Sequence, residues 1–359
     1  MLNSDRRFQS IHGLLLGIAI GDALAQPHCG LSRRAAVRKF ARRPLRYRLW
    51  PGCGLYSDDT QLALMTGQAI LQSRSQSNAF HRQFNRRLKW YALGLPVGIS
   101  KSTFWASLKA WLWRIGLPAG STSAECAPAS RALLLGVVLH NTGHRYAVWS
   151  RDSATQTHRH PLAADGAAVL ATAAQIAAVT SSGRLNSKSS LETLIKTAKE
   201  PELVAALSEL QPFLDRNSSP RAVARHFKWG HGTSRSMLPT TVMAAYCFLR
   251  YPDDFQRALK WTLMLSGTND TLPALVAGLV GAHIGASALP DNLVEGLADW
   301  PHDREWIERL ATRLADWPHG VDDLLMAPSL RSHPFSQVLR NLFRWPVVIL
   351  HKLVRLPCP

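Results

Sequence analysis

The sequence holds 359 residues, 46% of them hydrophobic, with a formal charge of +18, enough apolar material for one large core or two smaller ones and too much for wholesale disorder. Five scattered cysteines suit a reducing, cytoplasmic setting better than a disulfide framework, and no Cys-x-x-Cys pair suggests zinc. His12, Gly13 and Gly17 break the early apolar stretch, so neither a signal-peptide core nor an unbroken membrane-crossing run of about 18 residues is expected.

The first helix is predicted over residues 11–25, with Gly13, Gly17 and Gly21 at helical spacing. Glycine weakens a helix, so three on one face imply that another backbone approaches closely there. Asp22, at the end of that helix, reads as a buried hydrogen-bonding group, and Pro27 stops the helix. A short basic helix over 32–43 and a loop over 51–54 lead to Tyr56-Ser57-Asp58-Asp59-Thr60-Gln61, directly before the apolar run Leu62-Ala63-Leu64-Met65. Further helices are predicted over 58–71, 80–90, 102–113, 129–139, 161–180 and 190–200, the last opening with the capping-box pattern Ser189-Ser190-Leu191-Glu192. A glycine-rich turn over 228–234 precedes helices over 238–249 and 254–265. The turn Ser266-Gly267-Thr268-Asn269-Asp270-Thr271 then opens a helix carrying Gly278, Gly281 and Gly285. Strand-like alternation is nearly absent, so the class is all-α, with one helical domain over 1–328. Residues 329–359 form a basic tail in which Phe335, Val338, Leu339, Leu342, Phe343 and Trp345 recur at helical spacing before Pro346.

Charge is unevenly spread. Residues 31–50 hold eight basic side chains and no acid, and Arg82, Arg86, Arg87, Lys89, Lys101, Lys109 and Arg114 repeat the bias. Such a field draws in phosphates, nucleic acid or anionic lipid. The tail is expected either to lie on an anionic membrane surface, making the protein peripheral to it, or to dock back onto the domain.

Two stretches carry chemistry. Ser57-Asp58-Asp59-Thr60 sets two carboxylates between two hydroxyls, hard oxygen donors of the kind that Mg²⁺ and Ca²⁺ select. An ordinary helix start, with Ser57 as N-cap and acids in the first turn, has the same appearance. Gly267-Thr268-Asn269-Asp270-Thr271 repeats the arrangement more than 200 residues later, so two helix N-termini could converge on one metal site.

These motifs and their order resemble the ADP-ribosylglycohydrolase family: Gly-x-x-x-Gly-x-Ala-x-Gly-Asp-Ala-Leu over 13–24, Ser-Asp-Asp-Thr over 57–60, Thr-His-x-x-Pro over 157–161, and a Gly-Thr-x-Asp-Thr turn before a Gly-x-x-Gly-x-x-x-Gly helix. The resemblance runs from about residue 11 to residue 290. It implies an all-α fold that holds two Mg²⁺ ions and hydrolyses the bond joining ADP-ribose to a protein side chain or a small acceptor, which would be the partner. It puts Ser57, Asp58, Asp59, Asp270 and Thr271 at metal-ligand positions, and it makes Asp58, Asp59 and Asp270 the candidate catalytic carboxylates. His158, Arg131 and Gly267 become candidate substrate contacts.

Four positions depart from the family's pattern. Thr268 stands where a carboxylate ligand is usual, which puts the second Mg²⁺ in question. Cys29 replaces a frequent glutamate, Glu125 falls in what is usually a Gly-Asn-Gly loop facing the diphosphate, and Thr233 replaces an aromatic platform. The resemblance therefore implies a metal-assisted hydrolase with weakened activity. The alternatives are a catalytically silent ADP-ribose-binding relative and a basic protein that binds nucleic acid or an anionic membrane.

Overall fold

Glycine decides which two helices touch most closely. The computed structural model describes residues 4–50, 52–73, 75–112, 120–229, 234–265, 270–317, 330 and 334–355. Its helices are α1 (Ser4–Ala25), α2 (Arg33–Phe40), α3 (Asp58–Leu71), α4 (Ser77–Leu93), α5 (Lys101–Leu112), α6 (Ala129–Val138), α7 (Arg145–Thr155), α8 (Pro161–Val179), α9 (Ser187–Thr197), α10 (Pro201–Ser208), α11 (Gln211–Asp215), α12 (Pro220–His226), α13 (Met237–Arg250), α14 (Phe255–Leu265), α15 (Thr271–Ile284), α16 (Asp291–Glu295), α17 (Arg304–Asp316) and α18 (Pro334–Arg355). A Cβ built on Gly13 would lie 2.1 Å from the Gly281 carbonyl oxygen, one on Gly17 2.2 Å from that of Ala277, and one on Gly21 2.4 Å from that of Pro273. α1 and α15 thus run antiparallel with their backbones in contact. The descending partner numbers bring the end of α1, at Asp22, beside the start of α15, at Asp270.

Around this pair α3, α6, α8 and α17 pack on α1, while α13 and α14 pack on α15. The chain is all-α, as its sequence implied. Outside helices, backbone pairing among the described residues is confined to isolated bridges, including Ser121 with His158 and Glu125 with Ser236.

α1 and α8 are long and apolar enough to cross a membrane by composition, although no unbroken apolar run suggested it, but 83% and 78% of their apolar windows are buried inside the protein. Most of their apolar surface is covered by other parts of the protein, as in the core of a large α-helical domain.

Helix starts differ from expectation in one instructive place. α9 begins at Ser187, with Asn186 as N-cap accepting from the Ser189 amide at 3.1 Å. The Ser189–Glu192 pattern therefore lies within the helix and does not cap it. α17, absent from the sequence reading, is capped by Asp303 accepting from the Trp306 amide at 2.8 Å. It buries Trp306, Ile307, Leu310 and Leu314 at helical spacing.

The tail helix α18 docks on the body through its polar side. Arg340 donates to both Asp299 carboxylate oxygens at 2.6 Å, Asn341 donates to the Gly94 carbonyl at 2.6 Å, and Arg344 donates to the Tyr56 carbonyl. Val348 joins Leu49, Leu55 and Val97 in a small apolar cluster of its own.

Candidate active site

The site grows from Asp22. Its carboxylate is fully buried and accepts four hydrogen bonds from the next motif: the Ser57 amide at 2.8 Å, the Ser57 hydroxyl at 2.6 Å, the Thr60 amide at 3.1 Å and the Thr60 hydroxyl at 2.7 Å. Ser57 is the N-cap residue of α3, yet its own side chain caps nothing. Asp22 caps the helix from another element by taking two amides of its first turn, which are among those that lack intrahelical partners. Burial raises the Asp22 pKa, and the hydrogen bonds from Ser57 and Thr60 oppose that rise. Replacing Asp22 with alanine would leave two buried amides and two hydroxyls without their acceptor, so a loss of about 3 kcal/mol or more in urea unfolding is expected. Asp22→Asn, whose one carbonyl oxygen can still serve both amides, should lose less than half as much.

With the turn so fixed, Asp58 and Asp59 are buried at the head of α3. Burial, and then the nearby Asp270 charge, pushes the Asp58 pKa up to about 7, while Arg235 opposes the rise. Asp59 is held well above its ordinary value by burial and then by Asp58, with a hydrogen bond from Thr271 acting against it. Asp270 is the N-cap residue of α15, makes no side-chain cap, and is paired instead with Arg235 at 3.1 Å. A narrow recess is lined by Asp58, Asp59, Ser100, Glu125, Cys126, Ala127, Arg235 and Thr271.

Arg235 was not legible in the sequence. It precedes α13 and is set in place by backbone pairing, with the Cys126 amide donating to the Arg235 carbonyl and the Met237 amide to the Ala124 carbonyl, both at 2.8 Å. The charge of Asp270, opposed by burial, lifts the Arg235 pKa further above its ordinary value, so the guanidinium is a permanent counter-ion at the recess. A lone arginine at the edge of a glycine-rich turn, directly before an apolar helix, is the only signal the sequence carried.

The other expected contacts are distributed unevenly. Glu125 does reach the recess, where His158 and then the Ser102 and Ser100 hydroxyls outweigh burial and hold its pKa down to about 2. His158 is buried 3.7 Å from the Glu125 carboxylate, and burial lowers its own pKa. Its Nδ1 lies 2.9 Å from the Thr157 hydroxyl, which also accepts from Arg131 at 2.7 Å. Arg131 lies behind this layer, 1% exposed, with its guanidinium 4.8 Å above the Phe84 ring, and burial depresses its pKa to about 9. The packing thus makes Arg131 a support for Thr157 and His158 and does not bring it to the recess. Gly267, Thr268 and Thr233 lie outside the described residues. Cys29 follows the short helical turn Gln26–His28 and is half-buried.

The donor chemistry suits a hard cation. Carboxylates whose protonation is favoured first by burial and then by their mutual repulsion are relieved by a divalent ion, and the Ser57 and Thr271 hydroxyls add neutral oxygens. The guanidinium at Asp270 limits that fit. Among the described residues no three His, Cys, Asp or Glu side chains form a group that could hold one metal ion. The described residues thus offer carboxylate and hydroxyl oxygens without a ready-made cage of three acidic ligands.

Comparison with known proteins agrees with this architecture. A protein of Archaeoglobus fulgidus, itself uncharacterized, is 26% identical over 317 residues, which is 85% of this chain and 95% of the relative. A solved structure titled "ADP-ribosylglycohydrolase-related protein complex" superposes with a TM-score of 0.65 at 23% identity, covering 86% of this chain and 98% of that one, a likeness of fold. The ADP-ribosylglycohydrolase family profile matches residues 3–322, nearly the whole helical body and both acidic helix starts, so the chain belongs to the ADP-ribosylglycohydrolase family.

Proposed function

We propose that this chain is a hydrolase that cleaves the N- or O-glycosidic bond of an ADP-ribosylated protein or small molecule. Family membership makes a hydrolase plausible. The observation that carries the finer reading is the shared recess in which Asp58, Asp59 and Thr271 meet at the starts of α3 and α15. Hydrolysis at ribose C1 builds positive charge on the sugar ring, which nearby carboxylates stabilise, and it needs a base to take a proton from the attacking water.

Asp58 lines the recess at the head of α3 beside Asp59, and we assign it that proton. Asp59 stands beside it, its protonated form favoured by burial and by Asp58 until a cation offsets them. Asp270 is neutralised by Arg235 and is better suited to orienting the site than to accepting a proton. Ser57, Asp58, Asp59 and Thr271 would hold a divalent cation such as Mg²⁺, with Asp270 shared between it and Arg235; when bound, the ion would orient ribose hydroxyls and acidify water.

The test is release of ADP-ribose from modified arginine, modified serine and a small-molecule panel in the presence of Mg²⁺. The proposed role of Asp58 predicts that Asp58→Asn lowers kcat/KM by about 10²-fold or more. No release above the Asp58→Asn background, from any substrate, would remove the hydrolase reading. A silent ADP-ribose-binding relative is the second reading, favoured by the Arg235–Asp270 pair and by Glu125 in the recess. It predicts calorimetric binding of ADP-ribose without turnover.

A further inference from the structure

α18 is amphipathic with its polar side turned inward. Arg340, Asn341 and Arg344, at helical spacing, are 5%, 2% and 1% exposed, whereas Phe335, Leu339, Leu342 and Leu350 form an outward stripe, each at least half exposed. A helix on a soluble body normally does the reverse and buries its apolar stripe.

The stripe continues onto neighbouring elements. Trp50 lies 5.8 Å from Phe343, and the Trp345 indole donates to the Leu95 carbonyl at 3.0 Å. Farther along, Trp90 meets Trp111 edge-on at 5.2 Å. Trp50, Leu95 and Trp90 are themselves about half exposed. An apolar area spanning three elements exceeds the scattered exposed side chains of an ordinary surface and marks an interaction site.

Charge selects the partner. Residues 31–50, 77–112 and 334–355, which supply this face, contain no Asp or Glu. In the segment before Trp50, Leu45, Tyr47 and Leu49 are buried while Arg46 and Arg48 are exposed alongside Trp50. A groove between α4 and α18, lined by Arg86, Arg87, Trp90 and Gln337 among others, sets two guanidiniums beside an indole. A second copy of the chain would bring like charges together across this face, which opposes a symmetric dimer. Tryptophans flanked by cations suit the boundary between lipid headgroups and acyl chains.

We propose that this face docks on an anionic phospholipid bilayer, with α18 lying in the interfacial plane. The helix polarity explains the arrangement: the inward arginines fasten α18 to the protein, and the outward stripe is left for lipid. Lipid binding of this kind is independent of the chemistry in the acidic recess.

The test floats the full-length chain with vesicles of phosphatidylcholine alone or of phosphatidylcholine mixed with phosphatidylglycerol. Binding to the mixed vesicles should be about tenfold or more stronger and should fall as salt rises, with a blue shift of tryptophan emission. The triple change Leu339→Glu, Leu342→Glu, Leu350→Glu should remove binding while leaving the circular-dichroism melting curve in place, because all three side chains are exposed. Arg46→Glu with Arg48→Glu should weaken binding to the mixed vesicles and leave any binding to neutral vesicles unchanged. Equal binding to both vesicle types, or none to either, overturns the proposal without recourse to a variant. A dimer that the triple change dissociates, in the absence of vesicle binding, would assign the face to a second copy. Retention of DNA without vesicle binding would assign it to nucleic acid, and either result overturns the lipid reading.

Discussion

Gly17→Ala should destabilise the protein by about 3 kcal/mol or more, although alanine is the better helix former by about 1 kcal/mol. A methyl at this position would lie 2.2 Å from the Ala277 carbonyl oxygen, 2.7 Å from its carbon and 3.0 Å from Gly278 Cα. All three obstacles are backbone, so no side chain can rotate away and the two helices must separate. Separation would also draw Asp22 away from the Asp270 end of the pair, so the acidic recess should be disturbed along with the core. Gly67→Ala is the control. Its added methyl would meet only the ends of Leu310, Leu314 and Leu134, at 3.0–3.3 Å, which can shift, so a change within about 1 kcal/mol is expected. Urea unfolding of the three proteins, followed by circular dichroism, measures the difference. A Gly17→Ala protein as stable as Gly67→Ala would show that α1 and α15 are not in backbone contact.

Asp299→Ala should be the most damaging polar substitution, at about 3–5 kcal/mol. The Asp299, Arg340 and Arg344 side chains are 2%, 4% and 1% exposed, so the ions are hidden from water and removal of the carboxylate strands two guanidiniums. It also removes the acceptor for the Tyr56 amide at 3.0 Å and the Trp300 amide at 2.8 Å. Arg344 is already depressed to about 10 by burial and then by Arg340, and would lose the anion that offsets both. Two readouts follow: early proteolytic release of α18, and loss of activity through Tyr56, which stands next to Ser57. Burial alone would raise the Asp299 pKa, but Arg340 and Arg344 hold it below its ordinary value. Its stabilising contribution is therefore complete above the ordinary carboxylate pKa of roughly 4 and is lost as pH falls below that, through the folded-state value. The stability gap between wild type and Asp299→Ala should accordingly narrow on acidification below about pH 4.

The fold class and the acidic half of the site were legible because their signals are local. Missing strand alternation, and glycines at helical spacing in two distant segments, point to packed helices. Hydroxyl-and-acid runs before apolar stretches mark the starts of α3 and α15. What remained hidden depends on pairing between distant irregular segments. Arg235 reaches the recess through the bridge joining Ser236 to Glu125, and Asp299 meets Arg340 from a loop with no pattern of its own. Asp22 was recognisable as a buried hydrogen-bonding group, but the helix it caps was not. In α18 the spacing revealed two faces without revealing which would turn inward, because a buried arginine and a solvated one have the same periodicity. Arg131 shows the converse: resemblance implied substrate contact, and packing buries it against the Phe84 ring with its guanidinium donating to Thr157.

The meeting of α1 with α15 also constrains the order of assembly. Gly17 and Ala277 are in contact yet about 260 residues apart, so the loop they close is among the longest the chain can form. During synthesis α1 emerges early with its glycine face uncovered, and Asp58 and Asp59 exist for most of translation without Thr271 beside them. The turn ahead of Ser57 is fastened later still, when Arg340 leaves the ribosome. Long-range closure of this kind is slow and leaves apolar surface open to chaperones. The acidic recess is consequently one of the last parts to become native, and a chain truncated before α15 would contain its two leading carboxylates but no formed site.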